Sequence, residues 1–426
     1  MIQIKFGEIA EFRNGLNFAK ESQGKGCLLI GIPDFKDRFI PHYETLTEIN
    51  PSGITKAEDF LKKNDILFVR SNGNKDLVGR SLFIDKNIKA LYSGFCIRAR
   101  LTSDLISPIF LAYFTRTNRF KSLISSSGGT SIQNLNQGIL ANVKIPLFPK
   151  KEQQQIASVL SSLDSKIELN NKINAELEAM AKLIYDYWFV QFEFPIEAAL
   201  AAKMGDSSLA GKPYKSSGGP MVYNQDLKRE IPEGWEVDSL GNYAVVKKGT
   251  LVTEKTADTS GKIKVVSAGL DYSYFHSKSN YEANTITISA SGASAGYINF
   301  WREPIFACDC TTVRGESDSV TLLVLGFLKM RQAYIYQQAR GSAQPHVYPK
   351  DIEGLKIAIP PKSLIEDFGA IVVPGNQTIT INLKQNQELS SLRDWLLPML
   401  MNGQVTIKEA EEQLSMAAEE RGDYGK

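Results

Sequence analysis

The sequence predicts an α+β fold made of two copies of one unit, in which strand-rich, mixed α/β globules alternate with two long coiled-coil helices. Three observations predict it: the chain repeats itself, each copy opens with short turn-punctuated apolar runs, and each closes with a heptad seam. At 426 residues the chain is too long for one ordinary core, and its 43% hydrophobic and 23% charged residues are those of a folded soluble protein.

The repeat carries the most information. "FGEIAEFRNG" (6–15) resembles "LGNYAVVKKG" (240–249), matching at Gly7/Gly241, Ala10/Ala244, Arg13/Lys247 and Gly15/Gly249 with an offset of 234. Further on, "VKIPLFPK" (143–150) resembles "LKIAIPPK" (355–362) at an offset of 212, and that offset persists through Ile167/Ile379, Asn170/Asn382, Asn174/Asn386, Glu176/Glu388 and Leu177/Leu389. The second copy is therefore shorter by about 22 residues within its globular part.

In chain order, residues 1–149 form the first globule, with β-like runs such as "DILFVRS" (65–71) between Gly/Asn/Asp turn clusters. Pro146 and Pro149 stop it, and residues 150–200 form the first helical region. Residues 201–230 connect the copies; "MGDSSLAGKPYKSSGGPM" (204–221), rich in Gly, Ser and Lys, reads as a linker. Residues 231–361 form the second globule, where "TITISAS" (285–291) repeats the strand signal, and Pro360-Pro361 stop it. Residues 362–426 supply the second helical region and a C-terminal tail.

Each helix carries a seam. Ile156, Leu160, Leu163, Ile167, Asn170, Asn174, Leu177, Ala181, Ile184 and Trp188 step by alternating fours and threes. Adding 212 gives Phe368, Val372, Gly375, Ile379, Asn382, Asn386, Leu389, Arg393, Leu396 and Leu400, a weaker seam in which Pro374-Gly375 is expected to kink or interrupt the helix. The asparagines recur at the same two places. Side by side in antiparallel helices, Asn170 would face Asn386 and Asn174 would face Asn382, whereas a slipped register would bury each amide without a partner, at about 1–3 kcal/mol apiece. Parallel pairing also matches Asn with Asn, so the seam leaves orientation open, and a solvated helix edge is the alternative setting. Such a helix pair is a spacer: at 1.5 Å per residue its seam spans roughly 50 Å.

Charge and chemistry narrow the function. Residues 1–149 hold 20 Lys+Arg against 13 Asp+Glu, while 231–361 balance at 13 each. A basic first globule is compatible with a polyanionic partner and equally with surface solvation. With His42, His276 and His346 as the only histidines, and Cys308-x-Cys310 the only close cysteine pair, neither a zinc site nor a histidine-based triad is expected. No G-x-x-x-x-G-K-[ST] loop is present, and the glycine-rich "SASGASAG" (289–296) reads as a turn. No run reaches the roughly 18 apolar residues of a membrane span. "MIQIKFGEIAEF" is unlike a signal peptide, and Cys27, Cys96, Cys308 and Cys310 fit reduced thiols, so a cytoplasmic location is expected. The reading is a binding protein that is not an enzyme.

The residues now described carry a family resemblance. "IPLFPKKEQQQIASVLSSLDSKIELNNKINAELEAMAKLIYDYWF" closely resembles the first conserved helical region of the specificity (S) subunit of type I restriction–modification enzymes. "PYKSSGGPMVYNQDLKREIPEGWE" (213–236) is similar to that family's connector into its second recognition domain, and "GSAQPHVYPKDIEGLKIAIPP" (341–361) and "LLPMLMNGQV" (396–405) to its second half. The resemblance implies two target recognition domains, each reading half of a split double-stranded DNA sequence, separated by antiparallel helices. It also implies two modification (M) subunits and motor–nuclease (R) subunits as partners. S-adenosylmethionine, ATP and Mg would then be bound by those partners, with no cofactor and no metal on this chain.

Base-reading side chains are sought in the turns of the strand-rich parts. In the first copy "VRSNGNKDLVGR" places Arg70, Ser71, Asn72, Lys75 and Arg80 in a polar, basic loop after a strand. In the second, "ISASGASAGYINFWR" offers Ser291, Ser294 and Arg302, and "ARGSAQPH" adds Arg340 and Gln344. A solvated surface is the alternative for each one. Three other readings fit the pattern: a specificity module serving a related restriction system, a coiled-coil scaffold joining two β-rich ligand-binding globules without DNA, and a catalyst with an unrecognised site.

Overall fold

The computed structural model describes residues 2–18, 22–36, 38–51, 55–127, 134–340 and 345–419, with backbone alone at Gln23, Lys75, Ser126, Ser127, Arg340 and 414–419. The first copy runs β1 (Ile2–Lys5), α1 (Phe6–Ile9), β2 (Ala10–Asn14), β3 (Gln23–Ile30), β4 (Thr47–Ile49), β5 (Ile66–Val69), β6 (Ser81–Phe83), β7 (Ala90–Tyr92) and β8 (Cys96–Leu101). It continues through α2 (Pro108–Phe114), α3 (Asn118–Ser127), α4 (Gln137–Asn142) and β9 (Lys144–Leu147) into the long helix α5 (Lys150–Tyr185), which ends in a π turn at Asp186–Val190.

A connector follows, with α6 (Ala198–Lys203) and a hairpin of β10 (Met221–Asn224) and β11 (Arg229–Pro232). The second copy then repeats the order: β12 (Glu236–Ser239), α7 (Leu240–Tyr243), β13 (Val245–Lys248), β14 (Ile263–Val266), β15 (Tyr272–His276), β16 (Thr285–Ser289), β17 (Ile298–Trp301), β18 (Ile305–Ala307) and β19 (Cys310–Arg314). It ends with α8 (Asp318–Met330), α9 (Gln332–Arg340), α10 (Pro349–Glu353), β20 (Lys356–Ile359), the long helix α11 (Lys362–Met401) and α12 (Ile407–Glu419).

Topology makes the repeat explicit. Four strands pair in the order β2-β8-β5-β6 in one copy and β13-β19-β16-β17 in the other. Three more pair as β4-β3-β7 and β15-β14-β18, each with one parallel partner. A two-stranded pair closes each globule, β1 with β9 and β12 with β20. The strand alternation sets the two faces of the larger sheet. Ile66, Phe68, Ile97 and Ala99 join the core built with α2, α3 and α4, whereas Leu67, Val69, Leu82 and Cys96 pack with Ile30 and Tyr92 of the smaller sheet.

Gly15 and Gly249 show why the two "G" motifs match. A Cβ on Gly15 would lie 2.2 Å from the Ser93 carbonyl, and one on Gly249 2.2 Å from the Cys308 carbonyl. Their amides donate to the Cys96 and Cys310 carbonyls at 3.0 and 2.9 Å.

The chain divides into two compact units, 1–169 with 385–426, and 170–384, so the division falls inside both α5 and α11. In the first unit Ile156, Leu160 and Leu163 share a core with Leu389, Leu396, Leu400 and the first globule. In the second, Trp188 and Phe189 pack on Phe368, and Asn382 Nδ2 donates to Asn174 Oδ1 at 2.8 Å. There α5 and α11 are antiparallel, since higher numbers on one meet lower numbers on the other. Asn170, Asn174, Asn382 and Asn386 are all buried.

The expected interruption of the second long helix is corrected. α11 is continuous through Pro374-Gly375. The proline forfeits one helical hydrogen bond, but Phe368, Val372 and Ile379 are buried on either side, and Leu177 Cδ2 sits 3.6 Å from where a Gly375 Cβ would be. Packing along the seam outweighs the local preference. The Gly/Ser/Lys-rich linker is itself folded: Tyr214 is buried and stacks on Phe194, which stacks on Trp235. The Ile196 amide donates to the Lys212 carbonyl, the Gly211 amide donates to the Ile196 carbonyl, and Tyr214 Oη donates to the Pro220 carbonyl. Among the described residues no helix is long and apolar enough to cross a membrane.

Candidate nucleic-acid interface

Strand β5 ends at Val69, and the chain leaves the sheet into a loop held at both ends. At its start, the Arg70 amide donates to the Phe95 carbonyl, the Arg70 carbonyl accepts from Leu135, and Ser71 bridges Asn134. At its end, Gly79 adopts φ +81° and passes so close to Ile124 that a Cβ would meet Cδ1 at 2.4 Å. Between these anchors Asn72 Oδ1 accepts from the Asn74 amide and Asn74 Oδ1 from the Asp76 amide, so successive Asx turns shape an exposed tip.

The second copy builds the same loop in shorter form after β16. The Ala290 carbonyl accepts from Val347, Ser291 bridges His346, and Gly296 closes the loop at φ +85° against Ile335. The 3-10 turn Gly292–Ser294 matches Lys75–Leu77 of the first loop, and the stretch that carries the Asx turns is shortened away. Each loop is thus pinned to the segment that precedes the last short helix of its globule.

Sequence reasoning named ten candidate side chains, which fall into different settings. Ser71 and Asn72 lie at the half-buried start of the first loop. Arg70 is half-buried there, and among the described residues its guanidinium meets no acceptor. Arg80 reaches back from the loop's end, where Nη1 donates to the Lys36 carbonyl at 2.9 Å and ties down a neighbouring turn. Ser291 donates to Asp309 Oδ2 at 3.0 Å, and Ser294 is half-buried in the 3-10 turn.

Arg302 departs from the outward orientation expected of a base-reading arginine. Its Nε donates to Asn376 Oδ1 at 2.8 Å and its Nη2 to Glu178 Oε1 at 2.9 Å, and burial pulls its pKa down. Lys75 opens a 3-10 turn and Arg340 closes α9, their side chains lying outside the described residues, as does Gln344 altogether.

The structure adds neighbours that the sequence reading passed over. His346 and Tyr348 form a tilted aromatic pair beside the second loop, with Tyr348 59% exposed. The basic excess of the first globule is partly spent internally. Arg13 pairs with Asp59, Arg100 grips Asp65 through two nitrogens, and Arg98 is buried against the Glu58 carbonyl. The repeat offset is the signal that would have linked "NLN" (134–136) to "HVY" (346–348) and so placed both beside a loop. Among the described residues no group of three or more His, Cys, Asp or Glu side chains is placed to hold a metal.

Comparison with known proteins agrees with this layout. The family model for the type I restriction modification DNA specificity domain matches twice, over residues 3–179 and 232–391. The MjaIX type I restriction enzyme specificity subunit of Methanocaldococcus jannaschii is 28% identical over 350 residues, covering 76% of this chain and 75% of that one. The HindI specificity subunit of Haemophilus influenzae is 24% identical, covering 82% and 88%. The crystal structure of a type I restriction–modification S subunit from M. genitalium superposes with a TM-score of 0.57 at 18% identity, covering 94% of this chain and 95% of that one.

Proposed function

Because the chain belongs to the type I restriction–modification DNA specificity family, we propose that it reads a split double-stranded DNA target, one part per globule. The observation that carries this is the pair of loops after β5 and β16. They are pinned at equivalent places, yet present different side chains: Asn72 and Asn74 in one, Gly292 to Ser294 in the other. A common frame with divergent tips is what two readers of two different half-sites require.

In this reading the chain does no chemistry. Two modification subunits transfer a methyl group from S-adenosylmethionine, restriction subunits use ATP and Mg to drive translocation and cleavage, and the complex works in the cytoplasm. The long helices set the gap between the half-sites, and the paired asparagines hold their register. Arg70, Ser71 and Asn72 are the base-reading or phosphate-contacting residues of the first loop; Ser291 and Ser294 lie in the second.

The test is binding of labelled duplex by the complex with its modification subunits, at several salt concentrations. Arg70→Ala weakens binding about 5- to 150-fold, the range of one good base contact, and the loss disappears on duplexes altered in the first half-site. Arg80→Ala acts in the same direction through the Lys36 turn. Unchanged affinity and methylation in both variants would remove this loop from the interface, and binding indifferent to salt would favour the DNA-independent scaffold.

A further inference from the structure

The long helices carry one repeat position, Asp164 on α5 and Asn376 on α11, that sits 212 residues apart and faces a globule in each unit. In the first unit Asp164 uses both oxygens: Oδ2 accepts from Tyr113 Oη at 2.7 Å, and Oδ1 from Arg393 Nη1 at 2.7 Å. Tyr113 belongs to the globule and Arg393 to the other helix.

In the second unit Asn376, 6% exposed, also uses both amide atoms. Its Oδ1 accepts from Arg302, and its Nδ2 donates to Asn284 Oδ1 at 3.1 Å, whose own amide nitrogen donates to Asp318. Arg302, 17% exposed along its side chain, completes the arrangement by bonding Glu178 of the other helix. Globule, one helix and the opposite helix therefore meet at one part-buried polar point in each unit.

The two points solve the same problem with opposite chemistry. One is an anionic socket that takes a tyrosine and is balanced by a helix arginine. The other is a neutral socket that takes a globule arginine and is balanced by a helix glutamate. Apolar contact is non-directional and tolerates small rotations, whereas forked, charge-assisted hydrogen bonds hold an angle as well as a distance.

We infer that Arg302 and Tyr113 are positioning residues, which fix the angle at which each globule sits on the helices of its own unit and thereby sharpen the spacing between the two DNA parts. This rests on the split-target reading above. It also reassigns Arg302 from reading bases to holding the reader.

The experiment uses the complex with its modification subunits and a duplex library in which the spacer between the two parts is lengthened or shortened by one base pair. Arg302→Ala should raise methylation of off-length spacers at least tenfold relative to the preferred one, leaving the bases read in both parts unchanged. Arg302→Lys, which keeps the charge and loses the fork, should fall between it and the parent. Tyr113→Phe should act in the same direction through the first part.

Melting curves establish that each variant is folded, and Glu178→Gln gives the same readout if Arg302→Ala does not fold. Folded variants with the parent's spacer preference would overturn the inference, as would a change in the bases read. If the parent complex recognises no two-part target, the split-target reading fails first and the positioning role falls with it.

Discussion

The layer between the two sheets is apolar in the first globule, whereas in the second it sets two hydroxyl residues among the apolar Val266, Trp301, Ile305, Ala307 and Cys310. Leu67, Val69 and Leu82 fill it in one copy, whereas Thr287 and Ser289 stand at the positions matching Leu67 and Val69, and Thr287 Oγ1 accepts from Trp301 Nε1 at 2.8 Å. The opposite face of the same sheet does not differ in kind: Ile66 and Phe68 in one copy, Ile286 and Ile288 in the other. The comparison teaches where the fold tolerates change. The face on the helices keeps its character, while the face toward the smaller sheet exchanges Leu67 and Val69 for Thr287 and Ser289.

Substitutions that strike the shared frame should therefore have large and equal effects in both copies. Gly15→Val and Gly249→Val each force a side chain into a carbonyl and should cost about 3 kcal/mol or more of stability, read by denaturant unfolding. A tolerant Gly249 beside an intolerant Gly15 would break the equivalence. Next in size are the substitutions that sharpen the contrast. Leu67→Ala opens a cavity and should cost about 2–5 kcal/mol, whereas Thr287→Ala leaves the Trp301 indole N–H without its acceptor and should cost about 1–3 kcal/mol.

The helix seam gives a smaller, sign-changing effect. Asn174→Leu alone strands the Asn382 amide and should destabilise by about 1–3 kcal/mol. Asn174→Leu with Asn382→Leu should melt above the parent while loosening the spacer preference of the complex. A double variant less stable than either single one would contradict the register role. The smallest effect is kinetic. Burial pushes the thiols of Cys96 and Cys310 up to about 12, so their thiolate fraction at pH 8 is on the order of 10⁻⁴. Both should resist an aromatic disulfide reagent in the native chain, and rapid labelling of Cys310 alone would set the second globule apart as the looser one.

Much of the frame was legible in the residues. Gly15/Gly249 mark backbone approaches that admit no side chain, Gly7/Gly241 mark close contacts with Ala141 and Glu353, and the four-three spacing of the seam names side chains that are buried or half-buried along α5 and α11. What was illegible depended on partners distant in sequence. Arg302 reads as a free loop arginine until Asn376, 74 residues on, and Glu178, 124 residues back, are brought to it. The connector reads as open chain because its glycines and serines outnumber its aromatics, yet Tyr214 alone, meeting Phe194 and the Pro220 carbonyl, is enough to fold it. Pro374-Gly375 carries a strong local signal, overridden by apolar burial that only the second helix supplies.

Two copies of one frame are proposed to read two parts of one DNA target. Mapping N6-methyladenine across a methylation-free host that expresses this chain with its modification subunit tests it most directly. The account predicts one motif in two parts with a fixed gap, and a swap of residues 70–80 for another loop should alter one part while leaving the other intact. An uninterrupted motif, or no methylation from an intact purified complex, would contradict it.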